Sequence, residues 1–182
     1  MCDTEVYTIR VDTINTDVSN VAFTAYLNIP LRNVVKAELL MASISANVAD
    51  TPALSIYVDE LVSKFNDRAD LLFTLGAAGT ISTQGSLTGA VPNAQYLKTA
   101  LATIPTEQVN PRTIYTSSGA GFPTDVVFVE PIRQLKTLTV TLYKANGTPL
   151  SDSSGHNFFT FRFTCAKPNV CLYPDRGGAA LL

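Results

Sequence analysis

Apolar and polar residues alternate with a period of two along most of this chain, and the alternation is cleanest near its end. Leu138, Val140 and Leu142 fall on one side, and Thr137, Thr139, Thr141 and Tyr143 on the other. Phe159, Phe161, Phe163 and Cys165 repeat the pattern against Phe158, Thr160, Arg162 and Thr164. Successive strand side chains face opposite sides of a sheet, so each segment predicts a strand with one buried face. Asn146-Gly147 between them tolerates positive φ and predicts a tight turn, which makes the two segments a closing pair of strands. Further upstream, Tyr7, Ile9 and Val11 alternate with Val6, Thr8 and Arg10. A second run, Val21, Phe23, Ala25, Leu27 and Ile29, is expected to end at Pro30, which has no ladder donor.

Other segments are less sharply patterned. VVKAELLMASIS, from Val34 to Ser45, has helix-compatible composition, but Val35, Ala37, Leu39 and Met41 alternate and no cap flanks it, so it reads as a strand. Leu54 to Val62 gives another strand or strand end, and Ser63 to Asp70 a polar turn. Residues 76–93, rich in Gly, Ser, Thr and Ala, predict a long surface excursion holding at most one short strand. Residues 96–105 fit a helical stripe or a short strand equally well, while Arg112–Thr116 and Asp125–Val129 are short strands. Many short strands separated by Gly- and Pro-rich turns indicate a single β-sandwich or barrel over residues 1–182, with 166–182 as an extended C-terminal tail.

Composition narrows the function classes. Charged residues make up only 15% of the chain, against about 25% in an average soluble domain, so part of the surface is expected to be covered by partners. The net charge is −2 and the Lys and Arg are scattered, which argues against direct nucleic-acid binding. Apolar runs fall well short of the roughly 18 residues of a membrane span. The polar N-terminus, MCDTEVYTIR, passes straight into a strand pattern, so no secretory leader is expected.

Candidate chemistry is sparse. The single histidine, His156, sits in an Asp/Ser/Gly loop where a hydrogen-bonding role is expected, and no nucleophile elbow or imidazole cluster accompanies it. A zinc site drawing on His156 or Cys2 would lack paired-cysteine spacing, so no metal or cofactor is expected. Cys165 and Cys171 stand close enough in sequence to bridge across Pro168-Asn169, with free thiols as the favoured alternative. Asp59 and Glu60 are adjacent; on a strand they would face opposite sides and form no acid/base pair. Seven Tyr and nine Phe leave room for a lectin-like stacking surface, although alternation assigns most of the Phe to the core.

Several of these segments together resemble a family. Val127-Phe128-Val129-Glu130-Pro131-Ile132, Leu135, Leu138, Val140, Leu142-Tyr143, Gly147 and Leu150, then His156 through Phe159, look like the C-terminal half of single jelly-roll capsid proteins. These proteins come from large icosahedral double-stranded DNA viruses of eukaryotes, chlorella viruses among them, and from virophages. Ile56-Tyr57-Val58-Asp59-Glu60-Leu61 resembles their mid-chain strand, and Ala102–Pro105 the short strand after it, which favours strand over helix there. The turn Lys144–Gly147 lacks the acidic residues common in such proteins, and a double jelly roll would need more than twice this length. The resemblance, over roughly residues 5–165, implies an all-β fold, a single eight-stranded jelly-roll β-sandwich. It implies a non-enzymatic penton protein, a homopentamer at the five-fold vertices of a virion assembled in the host cytoplasm. Neighbouring major capsid protein capsomers, and a vertex spike or fibre, are the partners it implies. The alternative is a ligand-binding β-sandwich, lectin-like or trimeric and cytokine-like.

Overall fold

The computed structural model describes residues 3–14, 21–45, 51–62, 73–74, 81–82, 100–106, 112–117, 124–145, 147–151 and 155–167. They form an almost wholly antiparallel β fold. Nine strands follow in order: β1 (Thr4–Asp12), β2 (Ala22–Ser45), β3 (Ala53–Val58), β4 (Phe73–Thr74), β5 (Ile81–Ser82), β6 (Ala102–Pro105), β7 (Arg112–Thr116), β8 (Asp125–Lys144) and β9 (Phe158–Ala166). A single 3-10 turn, Asp59–Leu61, follows β3. Seven strands share one sheet in the order β1-β9-β2-β8-β3-β6, with β7 also on β2, while β4 and β5 pair separately.

Two long strands organise this sheet, and both differ from the sequence expectation. The run ending in Ile29 does not stop at Pro30; it continues as the 24-residue β2. Likewise Asp125–Val129 is the start of the 20-residue β8, which contains Pro131. The register explains why proline is tolerated. Tyr26 pairs with Thr137 and Leu31 with Leu135, so Leu27–Pro30 stands opposite Lys136 alone. Val34 pairs with Ile132 and Lys36 with Val127, so Phe128–Pro131 stands opposite Val35 alone. Each strand thus carries a four-residue excursion, and its proline lies where the partner strand offers no paired residue. A missing N–H there breaks no ladder bond. Asn33, between the two excursions, takes a left-handed φ of 51°, which asparagine tolerates better than most residues.

The excursions let the sheet curl over its own core. Phe159 pairs with Ala42 across β9 and β2, yet its ring centroid is 5.9 Å from that of Phe23. Phe23 and Ala42 lie nineteen positions apart on the same strand, about 63 Å if it ran straight. Strand β2 therefore bends, passing from one layer to the other, as strands do at sandwich corners. One layer is β1, β9, the C-terminal half of β2, and β7 with the start of β8. The other is the N-terminal half of β2, the end of β8, β3 and β6. Between them lies a single core that includes Phe159, Phe161, Phe163, Leu39, Ile44, Leu54, Ile56, Leu138, Val140 and Leu142.

The bulges also move the buried face of β2. Ala37 and Leu39 are buried as expected, but the register shifts between Leu39 and Met41. Ala42 and Ile44 then turn inward and Met41 outward. A second correction concerns the last two strands. β8 and β9 keep the expected faces but do not pair with each other; β2 lies between them. Gly147 does form a turn, with φ 80° and its N–H donating to the Lys144 carbonyl. That turn folds the chain back onto β8 itself, through Tyr143 and Pro149 and a bond from Leu150 N–H to the Leu142 carbonyl. Residues 102–105 are a strand, paired with β3. Of 76–93, only the short strand Ile81–Ser82 lies within the described residues.

Candidate interaction surface

Directly paired residues of an antiparallel sheet point to the same face, so the registers give each outer face row by row. On the layer that begins with β1, the rows run across β1, β9, β2 and then β8 or β7. They are Val6, Thr164, Lys36, Val127; then Thr8, Arg162, Glu38, Asp125; then Arg10, Thr160, Met41, Thr116; and finally Asp12, Phe158, Ser43, Ile114. Two ion pairs occupy the middle: Lys36–Asp125 at 2.7 Å and Arg162–Glu38 at 3.5 Å. Around them, Val6, Met41, Val127, Ile114 and Phe158 are exposed apolar side chains. Charges on this face are largely neutralised in place, and apolar groups surround them.

At the lower end of these rows a polar node holds four strands together. Arg112 donates to Ser43 Oγ at 2.7 Å and to the His156 carbonyl at 2.9 Å, with its guanidinium 5.9 Å from the centroid of the Phe158 ring. Asn157 is fully buried. Its N–H donates to Thr13 Oγ1, and its Oδ1 accepts from Ser45 N–H at 2.7 Å. His156 has the hydrogen-bonding place its sequence context suggested, with Nδ1 3.2 Å from the Thr13 carbonyl. Gly155 packs so closely on Ser45 that a Cβ would sit 1.9 Å from Ser45 Oγ. Thr113 Oγ1, on the inner side of β7, is buried with no hydrogen-bond partner among the described residues.

The other outer face is chemically different. Its rows hold Ala22, Thr141 and Tyr57; Thr24 and Thr139; Tyr26 and Thr137. Asp59 and Glu60 are not on a strand, as expected from the sequence, but in the 3-10 turn beyond β3. That turn brings the Glu60 carboxylate onto the threonine rows. It accepts from Thr137 Oγ1 at 2.8 Å, from Thr139 Oγ1 at 2.9 Å and from Thr139 N–H at 2.7 Å. β3 last pairs at Val58 with Val140, so the carboxylate takes a backbone donor that β3 no longer reaches.

Most of the remaining family-like positions are packing residues. Leu61, Leu135, Leu138, Val140, Leu142 and Phe159 are buried in the core, while Pro131 is exposed on the β8 excursion. Cys165 is buried at the end of the Phe159–Phe163 face, and burial pushes its thiol up, with the Glu5 charge adding to the shift. Cys171, and so the suggested pairing, lies outside the described residues. Near Cys165, the Tyr7 hydroxyl donates to Glu5 Oε2 at 2.7 Å, which with the carboxylate charge raises the phenol. Among the described residues no three His, Cys, Asp or Glu side chains gather as metal ligands, and no helix is long and apolar enough to cross a membrane.

Sequence reasoning missed Arg112, Ser43, Thr13 and Asn157. No local pattern marks them, because the register of four strands distant in sequence brings them together. An arginine heading an alternating strand, RTIYT, was the only available signal. No protein-family model matches this chain, and no curated protein matches it.

Proposed function

We propose that this protein is a structural assembly subunit, and specifically a single jelly-roll penton that forms homopentamers at the vertices of an icosahedral virion. The observation that carries the assembly reading is the outer face of the β1–β9–β2–β7 layer. There, Met41, Ile114, Phe158, Val6 and Val127 surround ion pairs that are already satisfied. Such a face loses little charge solvation when covered, which suits subunit contact. The virion reading is supported by the family resemblance, whose spaced leucines and aromatic strand supply a core appropriate to a sandwich of this class. A ring of identical subunits needs two different surfaces that meet head to tail, and the β1–β9–β2–β7 layer ends in two unlike strands, β1 on one side and β7 on the other, which give each subunit the required asymmetry.

Native mass measurement of the full chain tests this. A particle of five copies of the 19.5 kDa chain is expected. Three copies would favour the trimeric ligand-binding reading. A monomer at every concentration, with no affinity for capsid proteins, would overturn assembly altogether.

A further inference from the structure

We infer that copies of this chain join by strand addition, the free edge of β1 in one copy pairing antiparallel with the free edge of β7 in the next. The inference rests on the assembly reading and names the surfaces that carry it.

The polarity of the ladder shows which backbone groups are open. Beyond the two ends of β1, Lys167 N–H donates to the Asp3 carbonyl, and Thr13 N–H donates to the Asn157 carbonyl. The pairing between them is unbroken from Thr4 opposite Ala166 to Asp12 opposite Phe158. Odd-numbered residues of β1 therefore bond to β9. The N–H and C=O of Thr4, Val6, Thr8, Arg10 and Asp12 point away from it. At β7, Ser117 N–H donates to the Leu40 carbonyl, in register with Met41 opposite Thr116. Arg112, Ile114 and Thr116 consequently direct their backbone groups to the far side. Neither row has a partner among the described residues.

Natural sheets usually blunt such edges with proline, bulges, short strands or inward charges. β1 is nine residues long, regular and free of proline, and its inward-side charge, Glu5, lies next to its first residue and accepts from the Tyr7 hydroxyl. The short edge strand β6, by contrast, ends in Pro105. The open residues of both strands also carry the outer-face side chains, Val6 being 60% and Ile114 66% exposed.

Direction and charge then select the partner. β1 is antiparallel to β9, β9 to β2 and β2 to β7. Placing β1 of one copy beside β7 of the next continues the sheet antiparallel with faces preserved. One register sets Asp12 opposite Arg112 of the next copy, Arg10 opposite its Ile114 and Thr8 opposite its Thr116. A two-residue slip in one direction would set Arg10 directly against Arg112, which like-charge repulsion disfavours, and in the other direction would lose the Asp12–Arg112 attraction. A one-residue slip would turn Ile9 and Val11 out of line with the buried face. Because the two edges differ, the contact is heterologous and closes into a ring or extends as a filament.

Thr8→Pro tests this directly, since it deletes an outward N–H and no bond to β9. In sedimentation of the full chain it is expected to raise the concentration for half-assembly at least about tenfold, equivalent to about 1.4 kcal/mol, with the β circular-dichroism spectrum kept. The pair Thr8→Cys with Thr116→Cys covers the case in which the proline variant does not fold. Oxidation should link copies into covalent ladders that neither single variant forms, because paired strand positions lie within disulfide reach. A parent that assembles, with no ladder from the cysteine pair and no weakening by a folded Thr8→Pro, overturns the edge pairing but leaves the assembly reading standing. A parent that never assembles overturns both.

Discussion

The two outer faces of this sandwich are built from the same pair of long strands, yet they are finished in opposite ways. On the β1–β9–β2–β7 side, charges neutralise one another at the surface, apolar side chains stay exposed and, among the described residues, both edges of the layer offer unpaired backbone. On the β2–β8–β3 side, threonines fill the rows and one carboxylate gathers their donors: Glu60 binds Thr137 and Thr139. The difference teaches where each face spends its hydrogen-bonding capacity. On the threonine face Thr24, Thr137 and Thr139 are bonded within the chain, which serves stability, with Tyr26 exposed beside them. The β1–β7 face leaves groups open along its edges and so serves contact.

Substitutions can break this contrast at several levels. The largest effect is expected from Phe161→Ala, because Phe161 is fully buried and stacks near Phe159 and Phe163 beneath both faces. It should cost about 3–5 kcal/mol in denaturant unfolding and reduce folding and assembly together. Glu60→Ala acts on the threonine face alone. It strips three acceptor contacts and should cost about 1.5–3 kcal/mol, lowering the melting temperature while leaving the particle mass of the folded protein unchanged. A change in mass would mean that this face also makes contacts.

Smaller effects sharpen the opposite side. Lys36→Ala breaks the partly exposed pair with Asp125. It should cost under about 1 kcal/mol, with that loss fading at high salt. The smallest effect is a pH dependence that is absent at neutrality. Because burial raises the Cys165 thiol pKa in the folded state, its contribution to stability is complete below the unfolded thiol pKa. It is lost as pH rises through the folded value, since the unfolded chain gives up its proton first. Urea titrations from pH 7 into the alkaline range should show a decline that Cys165→Val reduces.

The parts of the fold legible in the sequence were those with local causes. Alternation at Leu138–Leu142 and Phe159–Cys165 marked the correct buried faces, since pleating alone fixes them. Pro30 misled because proline excludes a ladder bond, not a strand, and it occupies an excursion where the ladder is already interrupted, as Pro131 does on β8. The pairing of β8 with β9 was inferred from adjacency in sequence, whereas β2 intervenes through contacts formed across more than a hundred residues. The Arg112–Ser43–Asn157 node and the open edges of β1 and β7 share that origin. They are properties of strand order, which no window of sequence contains.

Hydrogen exchange of the full chain, compared between dilute and assembled samples, tests the division of labour most directly. The amides of Val6, Thr8, Arg10 and Ile114 are expected to slow on assembly while those of the threonine face, Thr24, Thr137 and Thr141, keep their rates. Protection appearing on the threonine face, with the β1 and β7 amides unchanged, would contradict it.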